Sequence, residues 1–147
     1  MAIPPIPSQL TVEIVTPDRA VVHAEVDEVV LPAAEGEVGV LPGHTPALLA
    51  LHVGELWYRR AAEKFYLSVG FGFAEILPDR VIVLARVAER AEEIDVARAE
   101  AAQRRAQSRL SLAGKPGAAD VDLERARIAM LKSLVRLHVA SRVRTRV

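Results

Sequence analysis

The chain has 147 residues, 51% of them hydrophobic and 26% charged, a balance that suits one packed domain or two small modules. It contains no cysteine, which excludes disulfides and thiolate metal sites, and no apolar run near the roughly 18 residues of a membrane span. The formal net charge of zero hides an asymmetry: residues 1–90 hold 12 Asp/Glu and 7 Lys/Arg, whereas residues 91–147 hold 7 and 12.

The start, MAIPPIPSQL, has neither the basic opening nor the long apolar core of a signal peptide, and no transit peptide is expected. Residues 1–9, with three prolines, read as a flexible leader. Strand-like segments follow. LTVEIV alternates Leu, Val and Ile with Thr and Glu, the period of a half-buried strand. VDEVVLP, GELWYRR, EKFYLSVG, GFAEILP and RVIVLARV come next, and TPD and LPD are turn signals. No helical stretch is interleaved, so an antiparallel β-sandwich is expected over residues 10–90. Within it, EGEVGVLPGHTP (35–46) reads as a structural loop, with Gly36, Gly39 and Gly43 at positive φ and Pro42 and Pro46 stiffening the turn. Its other reading is a rigid rim for a partner, with Glu37 and His44 pointing outward.

The period changes near Asp95. Residues 95–110 are rich in Ala, Arg, Glu and Gln, all good helix formers. Ala99, Ala102, Ala106 and Leu110 recur on one helical face, and Glu100 and Arg104 form an i,i+4 pair of favoured polarity. Asp95 is a preferred N-cap, and a carboxylate there can equally present an acceptor to a ligand. LAGKPGAAD breaks the helix at Gly114, Pro116 and Gly117, giving a linker near 112–119. Asp120 or Asp122 caps a second helix whose expected stripe is Leu123, Ala126, Met130, Leu134 and Leu137. The fold class is therefore α+β: an N-terminal antiparallel β-sandwich, then a C-terminal antiparallel two-helix hairpin over 91–142 and a basic tail, 143–147. A thin Ala/Leu seam buries modest area, so the hairpin is weakly held and able to take two arrangements.

From Arg125 onward there are seven basic residues (Arg125, Arg127, Lys132, Arg136, Arg142, Arg144, Arg146) and no acid, a cationic surface suited to an acidic partner. No aromatic residue occurs beyond Phe73, so nucleic acid lacks a stacking platform there. No P-loop, GxGxxG, nucleophile elbow or metal-ligand histidine spacing is present. No active site is expected.

The segments VEIVTPDRAVV, EGEVGVLPGHTPALLAL, LSVGFGFAEILPDRVIVLA and AERAEEIDVARAEAA, in this order and followed by two helices, resemble the epsilon subunit family of bacterial F-type ATP synthase, called delta in mitochondria. The resemblance spans residues 10–142. It implies a non-catalytic central-stalk subunit that packs on gamma, touches the polar loops of the c-ring and restrains ATP hydrolysis through its helices. Glu37 and His44 match the loop positions of those contacts. Arg125, Arg127, Lys132 and Arg136 are the candidates for an acidic loop of the beta subunit. Some members bind ATP in the folded hairpin. By that likeness Ile94 and Asp95 would face the adenine edge, with Arg98 and Ala99 beside it, Arg105 and Arg136 at the ligand or its phosphates, and Glu89 as a further contact. Lys132 stands where the tight-binding pattern has Arg and lacks its bidentate fork. No cofactor is implied beyond weak regulatory ATP. The implied location is peripheral, on the cytoplasmic face of the bacterial inner membrane. A stalk scaffold without inhibition and an ATP-sensing module are the alternatives.

Overall fold

The computed structural model describes residues 2–116 and 122–144. The chain divides into two compact units, Met1–Arg90 and Ala91–Val147. The first holds eight strands: β1 (Leu10–Val15), β2 (Ala20–Val26), β3 (Glu28–Ala33), β4 (Gly36–Val40), β5 (Ala47–Leu51), β6 (Gly54–Arg60), β7 (Glu63–Leu77) and β8 (Arg80–Arg90). They hydrogen-bond in the order β2-β1-β8-β7-β5-β3-β4, and β6 pairs with both β3 and β7. The sandwich encloses a core that includes Leu10, Val12, Ile14, Leu31, Leu56, Leu67, Ile76 and Val81, all essentially inaccessible. In β1 the buried residues are Leu10, Val12 and Ile14, the period-two face that LTVEIV predicts.

Among the described strands one pair departs from the antiparallel expectation. β1 lies parallel to β8, with Val12 beside Val81 and Val15 beside Leu84. β1 opens the unit and β8 closes it, so no short hairpin dictates their direction. EKFYLSVG and GFAEILP are one 15-residue strand, β7, rather than two. The glycines between them make a corner instead of a reversal: Phe71 has φ 54° and Gly72 φ 125°. Before the corner β7 pairs with β6, from Glu63 to Val69; after it, with β5, from Gly72 to Ile76. A strand that changes partners at a bend is how a sandwich turns its edge. β2 and β5 have no full counterpart among the expected segments, because β5 (ALLAL) does not alternate and β2 carries an extra residue.

The reading of 35–46 as loop is corrected for its first half. Gly36–Val40 is strand β4, paired to β3. Gly36 and Gly43 have positive φ; Gly39, expected to share it, does not, because it sits opposite Val30 in the ladder.

The β6–β7 turn places Ala61 at φ 54°, a conformation unfavourable for a residue with a Cβ. Asp27 helps hold it there: its Oδ2 accepts the Ala61 N–H at 2.7 Å, Oδ1 accepts from Gln9 Nε2 at 3.3 Å, and Arg59 lies 3.6 Å away. The Ala61 hydrogen bond, then Gln9 and Arg59, hold the Asp27 carboxyl below its usual 3.8. A carboxylate favoured in the folded state adds stability above its unfolded pKa, and that stability is lost as pH falls through the folded one. Asp27→Asn is therefore expected to flatten the acid limb of the stability curve below pH 3.8, checked by urea midpoints measured from neutral pH downward.

Among the described residues the second unit contains a 3-10 turn (Ala91–Glu93) and two helices, α1 (Val96–Ser111) and α2 (Leu123–Arg144), which pack against each other. Asp95 caps α1, its carboxylate accepting the Arg98 N–H at 3.0 Å; Asp122 caps α2 through Arg125 N–H at 3.1 Å. The other candidate cap, Asp120, lies outside the described residues, as do 117–119 of the linker and 145–147 of the tail, Arg146 included. Ala99 and Ala106 are buried on α1; Ala102 and Leu110 are half-buried. The expected α2 stripe is corrected. Leu123 and Leu134 are exposed, and the buried positions are Ala126, Ser133, Val139 and Ala140. The seam thus repeats every seven residues on both helices, at Ala99 and Ala106 and at Ala126, Ser133 and Ala140, with side chains small enough for close backbone approach. Ser133 is satisfied within its own helix, donating to the Met130 carbonyl at 2.7 Å. No ion pair joins Glu100 to Arg104 among the described residues; both are exposed, where such a pair gains little.

Candidate functional site

The sandwich presents an apolar row that runs across four strands, exposed on three of them and half-buried at Val15 on the fourth. Ala50 of β5 is opposite Phe73 of β7, Phe73 is opposite Leu84 of β8, and Leu84 is beside Val15 of β1. Phe73 and Leu84 are each 57% exposed, and Leu48 on the next row of β5 is 71% exposed. Side chains on one sheet face in neighbouring strands touch laterally, so residues from four distant parts of the chain form one surface. Sequence reasoning missed it. Each residue looks like ordinary strand composition, and only the register places them side by side.

Glu37 and His44, expected together on a rim, occupy different settings. Glu37 is exposed on β4, opposite Pro32. It borders a depression of about 300 Å³ lined by Ala33–Val38 and Leu48–Ala50. His44 is not part of that lining. It is half-buried in the loop after β4, and its Nδ1 lies 2.6 Å from the Thr45 carbonyl, to which it donates.

The helical candidates also divide. Ile94 is 8% exposed and Ala99 fully buried, so neither offers its side chain to a ligand in this arrangement. Asp95, Arg98 and Arg105 are exposed, with the Asp95 carboxylate already engaged as the cap. Arg98 and Arg105 are two turns apart on one face, about 10 Å along the axis. Arg105 lines a shallow depression of about 480 Å³ with Ala101, Arg104, Ser108 and Arg109. Ser108 and Arg109 were not singled out from the sequence, and Arg104 was named only as a partner for Glu100, although QRRAQSR displays the cluster. On α2, Arg125, Lys132 and Arg136 follow at spacings of seven and four and share a face; Arg127 lies on the far side. Arg125 and Arg127 are exposed, whereas Lys132 and Arg136 are half-buried along the seam. Among the described residues no helix is long and apolar enough to cross a membrane.

Comparison with known proteins shows the same two-part organisation. Residues 9–91 match the family described as ATP synthase, Delta/Epsilon chain, beta-sandwich domain, and residues 92–141 match ATP synthase, Delta/Epsilon chain, long alpha-helix domain. The chain is 43% identical over 134 residues to the ATP synthase epsilon chain 2 of Syntrophotalea carbinolica, covering 91% of this chain and 95% of that one. It is 44% identical over 137 residues to the ATP synthase epsilon chain of Dehalococcoides mccartyi, with 93% and 96% covered. The counterpart in Solibacter usitatus is 52% identical over 101 residues, 69% of this chain and 75% of that one. A chain in the Euglena gracilis mitochondrial ATP synthase structure containing OSCP, F1 and the c-ring has the same fold, with a TM-score of 0.78 at 23% identity, covering 94% of this chain and 84% of that chain.

Proposed function

Because this chain belongs to the ATP synthase delta/epsilon family, we propose that it serves in the central stalk, where its sandwich docks on gamma and on the polar loops of the c-ring and its helices restrain ATP hydrolysis. As an epsilon chain it is a non-catalytic subunit of a complex that couples proton transport to ATP synthesis. It is peripheral to the membrane that holds the complex, and its bacterial relatives support the cytoplasmic face of the inner membrane.

The observation that carries the docking role is the exposed row Ala50, Phe73 and Leu84, with half-buried Val15 at its end. Aromatic and aliphatic side chains left in water over several strands are what a stable interface covers. Phe73→Asp or Leu84→Asp is expected to weaken capture by gamma by about 30-fold, as for a central contact of about 2 kcal/mol. Folding should be nearly unchanged, because both positions face solvent. Undiminished co-purification of gamma with the double variant would place the docking surface elsewhere, such as the rim at Glu37 and His44.

For restraint of hydrolysis, the supporting feature is the α2 stripe Arg125, Lys132 and Arg136, with Arg127 to one side, offered to an acidic loop of the beta subunit. Each pair near a surface is weak, but several together bias an element with a thin seam. A stalk scaffold whose helices regulate nothing is the competing reading.

ATP is the proposed regulatory ligand of the hairpin. Asp95, Arg98, Arg105 and Arg136 supply acceptor and charge, whereas Ile94 and Ala99 serve packing unless the seam loosens. Calorimetry of the full chain should show weak saturable heat with ATP, lost in Arg98→Ala/Arg105→Ala. Absence of heat at about 1 mM ATP, an affinity near 4 kcal/mol, would rule out a sensor. Full binding by Asp95→Ala would leave Asp95 only its cap.

A further inference from the structure

The depression on the outer face of α1 holds a hydroxyl among unpaired cations. At about 100° per residue, Ser108 points away from the seam face, where Ala99 and Ala106 are buried. Arg104 lies one turn before it to one side and Arg105 to the other, and Arg109 follows it; all four line the depression with Ala101. Helical side chains lean toward the N-terminus, so Ser108 leans over the turn that carries Arg104 and Arg105. Ala101, two turns back on nearly the same line, is small and leaves that space open. Ser108 and the three arginines are exposed.

The fold makes no use of these groups. Among the described residues Arg104, Arg105 and Arg109 form no ion pair, and the Ser108 hydroxyl has no hydrogen-bond partner. Between Glu100 and Asp120 the sequence has no acid to neutralise the arginines. Guanidinium forks match the oxygens of a phosphoryl group, so three of them around a free hydroxyl form a receptor for phosphate attached at that hydroxyl. The neighbouring Ser111 differs on both counts: it is outside the depression, and its Oγ already donates to the Ser108 carbonyl at 2.8 Å.

We propose that Ser108 is a phosphorylation site and that Arg104, Arg105 and Arg109 hold the phosphoryl group once it is attached. The donor is a nucleoside triphosphate presented by a protein kinase. Ser108 Oγ bonds to the γ-phosphorus, the bond from that phosphorus to its bridging oxygen breaks, the nucleoside diphosphate leaves, and the hydroxyl proton passes to a base of the kinase. The attached group brings about −1.5 to −2 charges at pH 7. In the last turn of a helix such a charge by itself opposes the macrodipole; the arginines reverse that balance. Engaging Arg105 also withdraws it from ATP, a consequence that rests on the ATP reading, whereas the site does not.

The full-length chain with phosphoserine installed at 108 during translation should be titrated by phosphorus NMR. The second phosphate pKa is expected about half a unit below the roughly 6 of an unpaired phosphoserine, and Arg104→Gln/Arg105→Gln should restore it. A titration near 6 without the substitutions, or a shift that survives them, overturns the arginine receptor. Mass-spectrometric mapping of the chain isolated from growing and from starved cells should find phosphate on Ser108. Its absence there in both, or phosphate on Ser111 instead, overturns the modification site. Neither measurement depends on ATP binding or on restraint of hydrolysis.

Discussion

Gly72→Ala is expected to destabilise the sandwich by about 3–5 kcal/mol, a large part of a small domain's stability. Two costs combine at this position. Gly72 has φ 125°, a conformation that costs about 1–3 kcal/mol for a residue with a Cβ. A Cβ built there would also lie 2.0 Å from the Leu84 carbonyl oxygen and 2.9 Å from Ala85 Cα. Those atoms are backbone of the neighbouring strand and cannot rotate away, so β8 must shift and strain its ladder. Gly36→Ala separates the costs. Gly36 also has positive φ, 136°, but nothing lies within 4 Å of its built Cβ, so only the conformational cost applies. Urea unfolding followed by Trp57 fluorescence should show a midpoint loss for Gly72→Ala well beyond that for Gly36→Ala. Equal losses would mean that close approach to β8 contributes nothing.

A chain ending at Arg90, assembled into the complex, is expected to raise ATP hydrolysis several-fold while still binding gamma. The core residues of the sandwich all precede the cut, from Leu10 to Ala88, and so does the exposed row with Phe73 and Leu84. What is lost is a hairpin whose seam is Ala99, Ala106, Ala126, Ser133 and Ala140. At roughly 25 cal/mol per Å² of apolar area, such small side chains contribute little each, which suits an element that exchanges between arrangements. Unchanged hydrolysis with gamma still bound would leave the chain a stalk scaffold and remove the proposed role of Arg125, Lys132 and Arg136. Loss of gamma binding would instead show that the helices are needed for docking.

The helical half was the more legible. Capping is a contact over three residues, so Asp95 could be read from its neighbours, and the bond to Arg98 N–H is there. Of the two candidate caps for α2, Asp122 is the one seen. In the α2 stripe Ala126 was read correctly and is buried, but Leu123 and Leu134 were chosen by hydropathy, whereas contact between two closely approaching helices selects small residues such as Ser133 and Ala140. On the sandwich, alternation marked β1 and the Pro-Asp turns. The Gly-Phe-Gly corner was taken for a break because a turn residue has the same local signature inside a strand as between strands.

The sequence alone determined the order of the parts: strand period up to residue 90, helical period after Asp95, a small-residue face on the first helix and a cationic second helix. These follow from interactions within a few residues of one another. Tertiary structure decided which residues meet. The Phe73–Leu84 row, the closeness of Gly72 to β8 and the reach of Arg90 to Val21 across 69 residues depend on strand order, on one parallel pair and on one bulge. Those are set by how the whole sheet closes over its core, and no local pattern of residues specifies that closure.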